Sequence, residues 1–266
     1  MKKKIGIIGY GFVGKAVANS FVGHDDVKVR IHDPAYPDVS KPMEKLKEKC
    51  EAIFICVPTP QDATGVCDTS IFESVLEQLL GYEGLVISKC TAPPNLYREL
   101  EKTLGLKLVH APEFLTAANA VNDYVNPVKV VIGSKPELWE MTEQYVLPYI
   151  DFIPADVDHC SIEEAAMFKY VANTMLAMKV IMNNEYADFC EKLKIDWNNV
   201  REIAETDHRL GDTHWQVPGP DGKRGFGGAC FPKDTSALAY MAREAKVDMS
   251  MLVSSISKNK SLRDDV

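Results

Sequence analysis

The sequence has no apolar run long enough to cross a membrane. The apolar stretch behind Lys2-Lys3-Lys4 is short and broken by Gly6 and Gly9, which argues against a secretory signal. Cysteines number seven, an odd count, and no C-x-x-C pair occurs among them. That excludes a simple disulfide framework and a zinc ribbon, and the expected setting is a reducing cytoplasm. His32, His110, His159, His208 and His214 show no metal-ligand spacing, so no metal site is expected. With 30 basic against 38 acidic residues the net charge is −8, which gives no long-range attraction for nucleic acid. An anionic substrate would have to be held by local groups. No internal repeat or low-complexity tract is present.

What is there reads as a globular α/β chain. Short apolar runs at Lys4–Ile8, Val27–His32, Ala52–Val57, Leu85–Ser88, Lys107–His110 and Val128–Ile132 alternate with helical patterns. This alternation predicts a doubly wound, mainly parallel sheet over residues 1–155. Asp151 to Asp158, with Pro154 inside, reads as a linker. Ser161-Ile162-Glu163-Glu164 then matches a capping box, and no Gly or Pro interrupts the chain from there to Leu193. A long helix followed by a smaller, all-helical domain is expected over 156–266.

Gly9-x-Gly11-x-x-Gly14 directly follows the first strand and opens a helix with Phe12, Val13 and Val17. Asp33 ends the second strand nineteen residues after Gly14. In this strand–turn–helix context the glycines permit a tight turn, close approach to a pyrophosphate and helix–strand packing, which makes the sheet Rossmann-like. Asp33 suits the ribose hydroxyls of NAD and repels the extra phosphate of NADP. Val57-Pro58-Thr59-Pro60, Lys89-Cys90-Thr91-Ala92-Pro93-Pro94 and Ala111-Pro112-Glu113-Phe114-Leu115 end later strands, where ligands bind in an open parallel sheet. Cys56 and Cys90 read as small core residues.

On the long helix, Lys169 and Asn173 lie four residues apart and share a face. Further on, Gly225-Phe226-Gly227-Gly228-Ala229-Cys230-Phe231-Pro232-Lys233-Asp234 places one thiol on a glycine-rich turn. Pro232 predicts that Cys230 sits just before a helix N-terminus, where a thiolate is favoured, with Asp234 one turn along. Such an arrangement suits a nucleophile with an acid/base partner; a lone cysteine beside a helix cap equally suits a structural role. Lys223 and Arg224 fit either diphosphate contact or a solvated turn.

Taken in order, these motifs, with Asn184-Glu185 and Asp207-x-Arg209-x-Gly211, resemble the UDP-glucose 6-dehydrogenase family of nucleotide-sugar dehydrogenases from the first strand to about residue 260. The resemblance implies a two-step oxidation at C6 of the sugar with two NAD⁺ per substrate. It implies Cys230 as the thiol that holds the aldehyde as a thiohemiacetal and then a thioester. Lys169 and Asn173 become oxyanion stabilisers, and Asp234, Thr91 and Glu113 the groups that orient or deprotonate water. It places Gly9, Gly11, Phe12, Val13, Gly14, Asp33, Val57, Pro58, Thr59, Thr91 and Lys233 at the cofactor. Glu113, Phe114, Leu115, Lys169, Asn173, Arg209, His214, Phe226, Gly227, Gly228 and Cys230 fall at the nucleotide sugar, with Arg209 reaching a diphosphate from a neighbouring subunit.

Two departures stand out. Thr116 and Ala117 replace the Arg-Glu pair common after Pro-Glu-Phe-Leu, and the chain stops at Val266, before the third, UDP-gripping domain of relatives. A short form or a fragment is therefore expected. Met175, Leu176, Met178, Val180, Ile181 and Met182 make the long helix apolar over much of its circumference, so a homodimer through residues 161–193 is expected. Two other readings stay open. One is a two-domain hydroxyacid dehydrogenase, which shares the helix with Lys-x-x-x-Asn but needs no thiol. The other is a non-catalytic NAD-binding module.

Overall fold

The computed structural model describes residues 2–62, 64–151, 153 and 156–265. Strands and helices alternate as β1 (Lys3–Ile8), α1 (Phe12–Ser20), β2 (Val27–His32), α2 (Met43–Lys49), β3 (Ala52–Ile55), α3 (Ser70–Gln78), β4 (Leu85–Ser88), α4 (Pro94–Thr103) and β5 (Lys107–His110). There follow α5 (Ala120–Val125), β6 (Val130–Gly133), α6 (Trp139–Val146), β7 (Val157–Cys160), α7 (Ile162–Leu193), α8 (Trp197–Glu205), α9 (Phe231–Glu244) and α10 (Ser250–Leu262). The chain divides into two compact units, Met1–Pro60 with Cys67–Lys169, and Gln61–Val66 with Tyr170–Val266.

The first unit is a seven-stranded sheet in the order β2-β1-β3-β4-β5-β6-β7, parallel except where β5 meets β6. The four-residue runs of β3 and β4 are buried throughout, as strands covered on both faces must be. Their side chains alternate between two cores. Ile53, Ile55 and Val86 pack with Leu46, Phe72, Leu76 and Tyr97 of α2, α3 and α4. Phe54, Leu85 and Ile87 pack on the other face with Ala16, Val17 and Tyr124 of α1 and α5. This period of two, with helices on both faces, is the expected doubly wound architecture.

One expectation needs correction. The segment 151–158 reads as a linker, yet Val157–Cys160 forms a seventh strand, parallel to β6 with Val130 opposite Val157. Its pattern is too polar to read as a strand, and its anchor is tertiary. His159 stacks on the Trp139 ring at 4.9 Å and bonds Glu143 at 2.7 Å. The linker's Pro154 lies outside the described residues.

The order of strands reverses at β1, since α1 leads to β2 on one side and β3 lies on the other. Ligands bind at the carboxyl ends of strands at such a switch point. Gly9 and Cys56 close the gap between the two loops there. A Cβ on Gly9, whose φ is +87°, would lie 2.6 Å from the Cys56 carbonyl oxygen.

α7 begins at the predicted capping box. Ser161 N and Oγ both donate to Glu164 Oε2 at 2.8 Å, and Glu164 N donates back to Ser161 Oγ at 3.3 Å. The helix then runs for 32 residues without a Gly or Pro, as expected. The second unit is built on its later turns, with Ala177 and Ile181 packed against Phe226 and, at the margin, Phe231 and Leu262.

Candidate active site

Within the first unit the glycine loop has the form a dinucleotide needs. Gly11 is the N-cap of α1, and the first turn carries no acidic residue and no side-chain cap. Its amide dipoles are left for an anion. A Cβ on Gly14 would lie 2.0 Å from the Gly9 carbonyl, so that glycine serves the turn itself. A Cβ on Gly11 would meet nothing within 4 Å. No protein contact demands glycine at position 11, which fits a position kept open for a ligand's approach.

Beside this loop lies a cavity of about 400 Å³ lined by Gly9, Asp33, Pro34, Met43, Val57 and Pro58, among others. The Asp33 carboxylate accepts from Tyr10 N at 2.6 Å and Ala35 N at 2.8 Å. Each oxygen is thus held once by backbone and keeps a lone pair for a hydroxyl. The residues present fit an NAD adenosine. Phe12 is exposed, and Val13 packs against the core. Thr59 Oγ1 donates to the Thr91 carbonyl at 2.6 Å and ties the third and fourth strand-end loops together.

The same unit holds a buried charge cluster. Lys169 is 3% exposed and donates to the Glu113 backbone carbonyl and, at 3.2 Å, to Glu113 Oε1. Glu113 Oε2 in turn accepts from Leu115 N at 2.9 Å. The Phe114 ring lies 5.1 Å from the Lys169 ammonium. Two of the three ammonium hydrogens are thereby accounted for.

Sequence reading gave no role to Lys89, which is buried here at 7% exposure. Its ammonium lies 5.3 Å from the Tyr124 ring, and burial, opposed by Cys56 and Glu113 but aided by Lys169, pushes its pKa down to about 8. His110 is fully buried against the Tyr97 ring at 4.4 Å, and burial pushes its pKa down to about 3. The Cys56 thiol is driven up by burial, which suits a core thiol rather than a nucleophile.

In the second unit Cys230 is the N-cap of α9, half-buried, with Pro232 in the first turn. Asp234, 1% exposed, gives its backbone N–H to the Cys230 carbonyl at 2.9 Å. Its carboxylate accepts from Asn173 Nδ2 at 2.5 Å and from Lys233 Nζ. A buried carboxylate is therefore fixed one turn from the thiol. Phe226 is buried, whereas Gly228 is exposed. His214 is half-buried, its ring 5.5 Å from that of Phe231, and its pKa is pushed down by burial and by Lys179. Arg209 lies well exposed and pairs with Asp207 at 2.5 Å.

Lys223 and Arg224 are not merely solvated. Lys223 pairs with Asp265 at 2.6 Å, and Arg224 with Asp188 at 2.5 Å and with Asn184. Asn259 and Arg263, which sequence reading left aside, also hold this loop. No group of His, Cys, Asp or Glu among the described residues could hold a metal ion, and no helix among them could cross a membrane.

Two profiles of one family match, the UDP-glucose/GDP-mannose dehydrogenase family NAD binding domain over residues 38–146 and its central domain over 163–261. A UDP-glucose 6-dehydrogenase of Rickettsia bellii is 33% identical over 82% of this chain and 50% of its own length. The Bacillus subtilis UDP-glucose 6-dehydrogenase TuaD is 27% identical over 98% of this chain and 64% of its own. The chain thus spans half to about two thirds of the length of these relatives.

Among solved structures, a UDP-glucose dehydrogenase from Pyrobaculum islandicum superposes with a TM-score of 0.81 at 24% identity, over 98% of this chain and 68% of that one. A 3-hydroxyisobutyrate dehydrogenase of Mycobacterium tuberculosis shares the fold at a TM-score of 0.76 and 16% identity, over 99% and 95%. The fold is therefore common to both kinds of enzyme. The two matching profiles come from one family and together cover more than half of the sequence, and the chain belongs to the UDP-glucose/GDP-mannose dehydrogenase family.

Proposed function

We propose that this chain oxidises UDP-glucose at C6 to UDP-glucuronate, in two successive steps through a covalent intermediate on Cys230. The observation that carries the reading is Cys230 at the N-cap of α9 with the buried Asp234 carboxylate one turn away. A single alcohol oxidation needs no thiol, so this feature favours the nucleotide-sugar reading over a hydroxyacid dehydrogenase. It also speaks against a non-catalytic module. Residues 1–155 take the cofactor role, and 156–266 the catalytic-cysteine and dimerisation roles.

Gly9, Gly11, Gly14 and Asp33 would hold NAD⁺, which would supply a hydride acceptor for each of the two steps. In the first, the C6 hydroxyl gives up its proton to solvent water while Lys169 donates a hydrogen bond to the C6 oxygen, and Glu113 holds the ammonium in place. The Cys230 sulfur then adds to the aldehyde carbon, and the carbonyl oxygen takes a proton to give a thiohemiacetal. This restores the tetrahedral C–H carbon from which a second hydride can leave. The resulting thioester is cleaved by water, which Asp234 orients and deprotonates, releasing the carboxylate and the thiol. Asn173, whose Nδ2 donates to Asp234 Oδ2, takes the role of an oxyanion stabiliser.

Arg209, well exposed at the surface, suits the substrate diphosphate of a neighbouring subunit. Assembly through α7 is supported by an exposed stripe of Val171, Met175, Met182, Tyr186, Phe189 and Leu193, spaced three, four or seven residues apart. The test is a count of NADH formed per UDP-glucose consumed, set beside GDP-mannose and short hydroxyacids. Two NADH per UDP-glucose are expected, and no uronate from Cys230→Ala. One NADH per substrate, or uronate from the alanine variant, overturns the proposal.

A further inference from the structure

We infer that Asn259 and Arg263, on α10 and just after it, are positioning residues for Cys230, forming a seat that fixes the glycine-rich loop and sets where α9 begins. The inference rests on the reading of Cys230 as the reacting thiol. Asn259 is 2% exposed and pairs with one residue of the loop in both directions. Its Nδ2 donates to the Phe226 carbonyl at 2.9 Å, and its Oδ1 accepts from Phe226 N at 2.7 Å. An amide side chain thus imitates a neighbouring strand and holds the N–H and C=O of Phe226, in two successive peptide units, without freedom to slide.

Arg263, 8% exposed, lies beneath the next residue. Its guanidinium is clamped by Asp265 at 2.9 and 3.1 Å and by Asp221 at 2.8 Å. A Cβ on Gly227 would lie 2.5–2.8 Å from three guanidinium atoms. A Cβ on Gly225, at φ +71°, would lie 2.3 Å from Asn259 Oδ1. These two glycines are demanded by the seat. From α7, Asn184 Oδ1 adds a third hold, accepting from Gly225 N at 3.3 Å and Arg224 Nε at 3.0 Å.

Downstream, the Phe226 ring packs in the core with Ala177 and Ile181 and meets the Phe231 ring at 6.4 Å. Cys230 is therefore carried between two anchored aromatic residues, three positions from the seat. If the seat is lost, the loop can slip and Cys230 can leave the helix N-terminus, whose amides stabilise a thiolate.

The experiment measures alkylation of Cys230 by iodoacetamide against pH, read on its own peptide by mass spectrometry, with folding followed by far-UV circular dichroism. Asn259→Ala, which loses two buried hydrogen bonds, and Gly227→Ala, whose methyl would strike the Arg263 guanidinium, are each expected to slow alkylation at neutral pH about tenfold and to move its pH midpoint upward. The diagnostic is the pair. Arg263→Ala removes the group that an alanine at 227 would strike, so the double variant Gly227→Ala/Arg263→Ala should react faster than Gly227→Ala alone. Asn259→Asp keeps the acceptor and loses the donor, and should fall between wild type and Asn259→Ala while remaining folded.

Wild-type or faster alkylation in Gly227→Ala or Asn259→Asp overturns the inference, as does a double variant slowed by the product of the two single effects. Alkylation needs neither cofactor nor sugar. If the seat behaves as expected while Cys230→Ala still yields uronate, the proposed function fails and the seat stands.

Discussion

Replacing Lys89 by methionine should stabilise the protein at neutral pH. Lys89 is buried beside another lysine, and its pKa lies at about 8 against 10.5 for an ordinary lysine, chiefly because burial penalises the charge. At 1.36 kcal/mol for each pH unit of that difference, holding the ammonium charged at pH 7 costs the folded state about 3 kcal/mol. Methionine matches the stem in length and carries no charge. It forfeits the contact with the Tyr124 ring, worth about 1 kcal/mol. The net gain is about 2 kcal/mol, or roughly 4–8 °C in melting temperature for a unit of this size.

The sign with pH follows from the lowered value. Below pH 8 both states bind the proton and the folded state bears the whole cost. Between pH 8 and 10.5 only the unfolded chain keeps it, so wild-type stability rises relative to the variant. Above that the two converge. Thermal or urea unfolding of both proteins at intervals from pH 7 to 10.5 checks this, since the difference cancels the titration of all other groups. A variant no more stable than wild type at pH 7, or a difference that stays flat to pH 10, refutes the burial argument. Glu113 keeps Lys169 as partner in the variant, so no unpaired carboxylate confuses the result.

Three further outcomes are expected. His110 is held neutral with its pKa at about 3 against 6.5 when unfolded, so its contribution is complete above pH 6.5 and about 3 kcal/mol of it is gone by pH 4. His110→Phe, which keeps the stack on Tyr97, should lose less stability between those pH values in urea titrations, and an identical slope would contradict the assignment. Asp33→Ser should weaken NAD binding about tenfold and narrow the preference over NADP, read by equilibrium dialysis, because a serine neither accepts two hydroxyls nor repels a phosphate. Met175→Glu with Phe189→Glu should give monomers in sedimentation equilibrium where wild type gives dimers, since each places a charge in the apolar stripe of α7; monomeric wild type would remove that reading.

Much of the molecule is legible in the sequence because the signals are local. The buried runs of β3 and β4, the glycine turn before α1, the capping box at Ser161 and the absence of Gly and Pro to Leu193 all act within a few residues of themselves. Pro232 alone announces that Cys230 caps a helix. The choice of family likewise rests on short motifs in order. Tertiary structure decided the rest, and the reason is distance along the chain. A polar stretch such as Val157–Cys160 becomes a strand only because β6 offers its edge and Trp139 and Glu143 hold His159. A lysine ending an apolar run reads the same whether its head reaches water or is buried, and burial of Lys89 depends on what surrounds it. Glu113 and Lys169 lie 56 positions apart, and Phe226 and Asn259 lie 33 apart. No periodicity links such pairs. They meet because packing of the core brings their elements together, and with them a buried ion pair and a seat for the thiol.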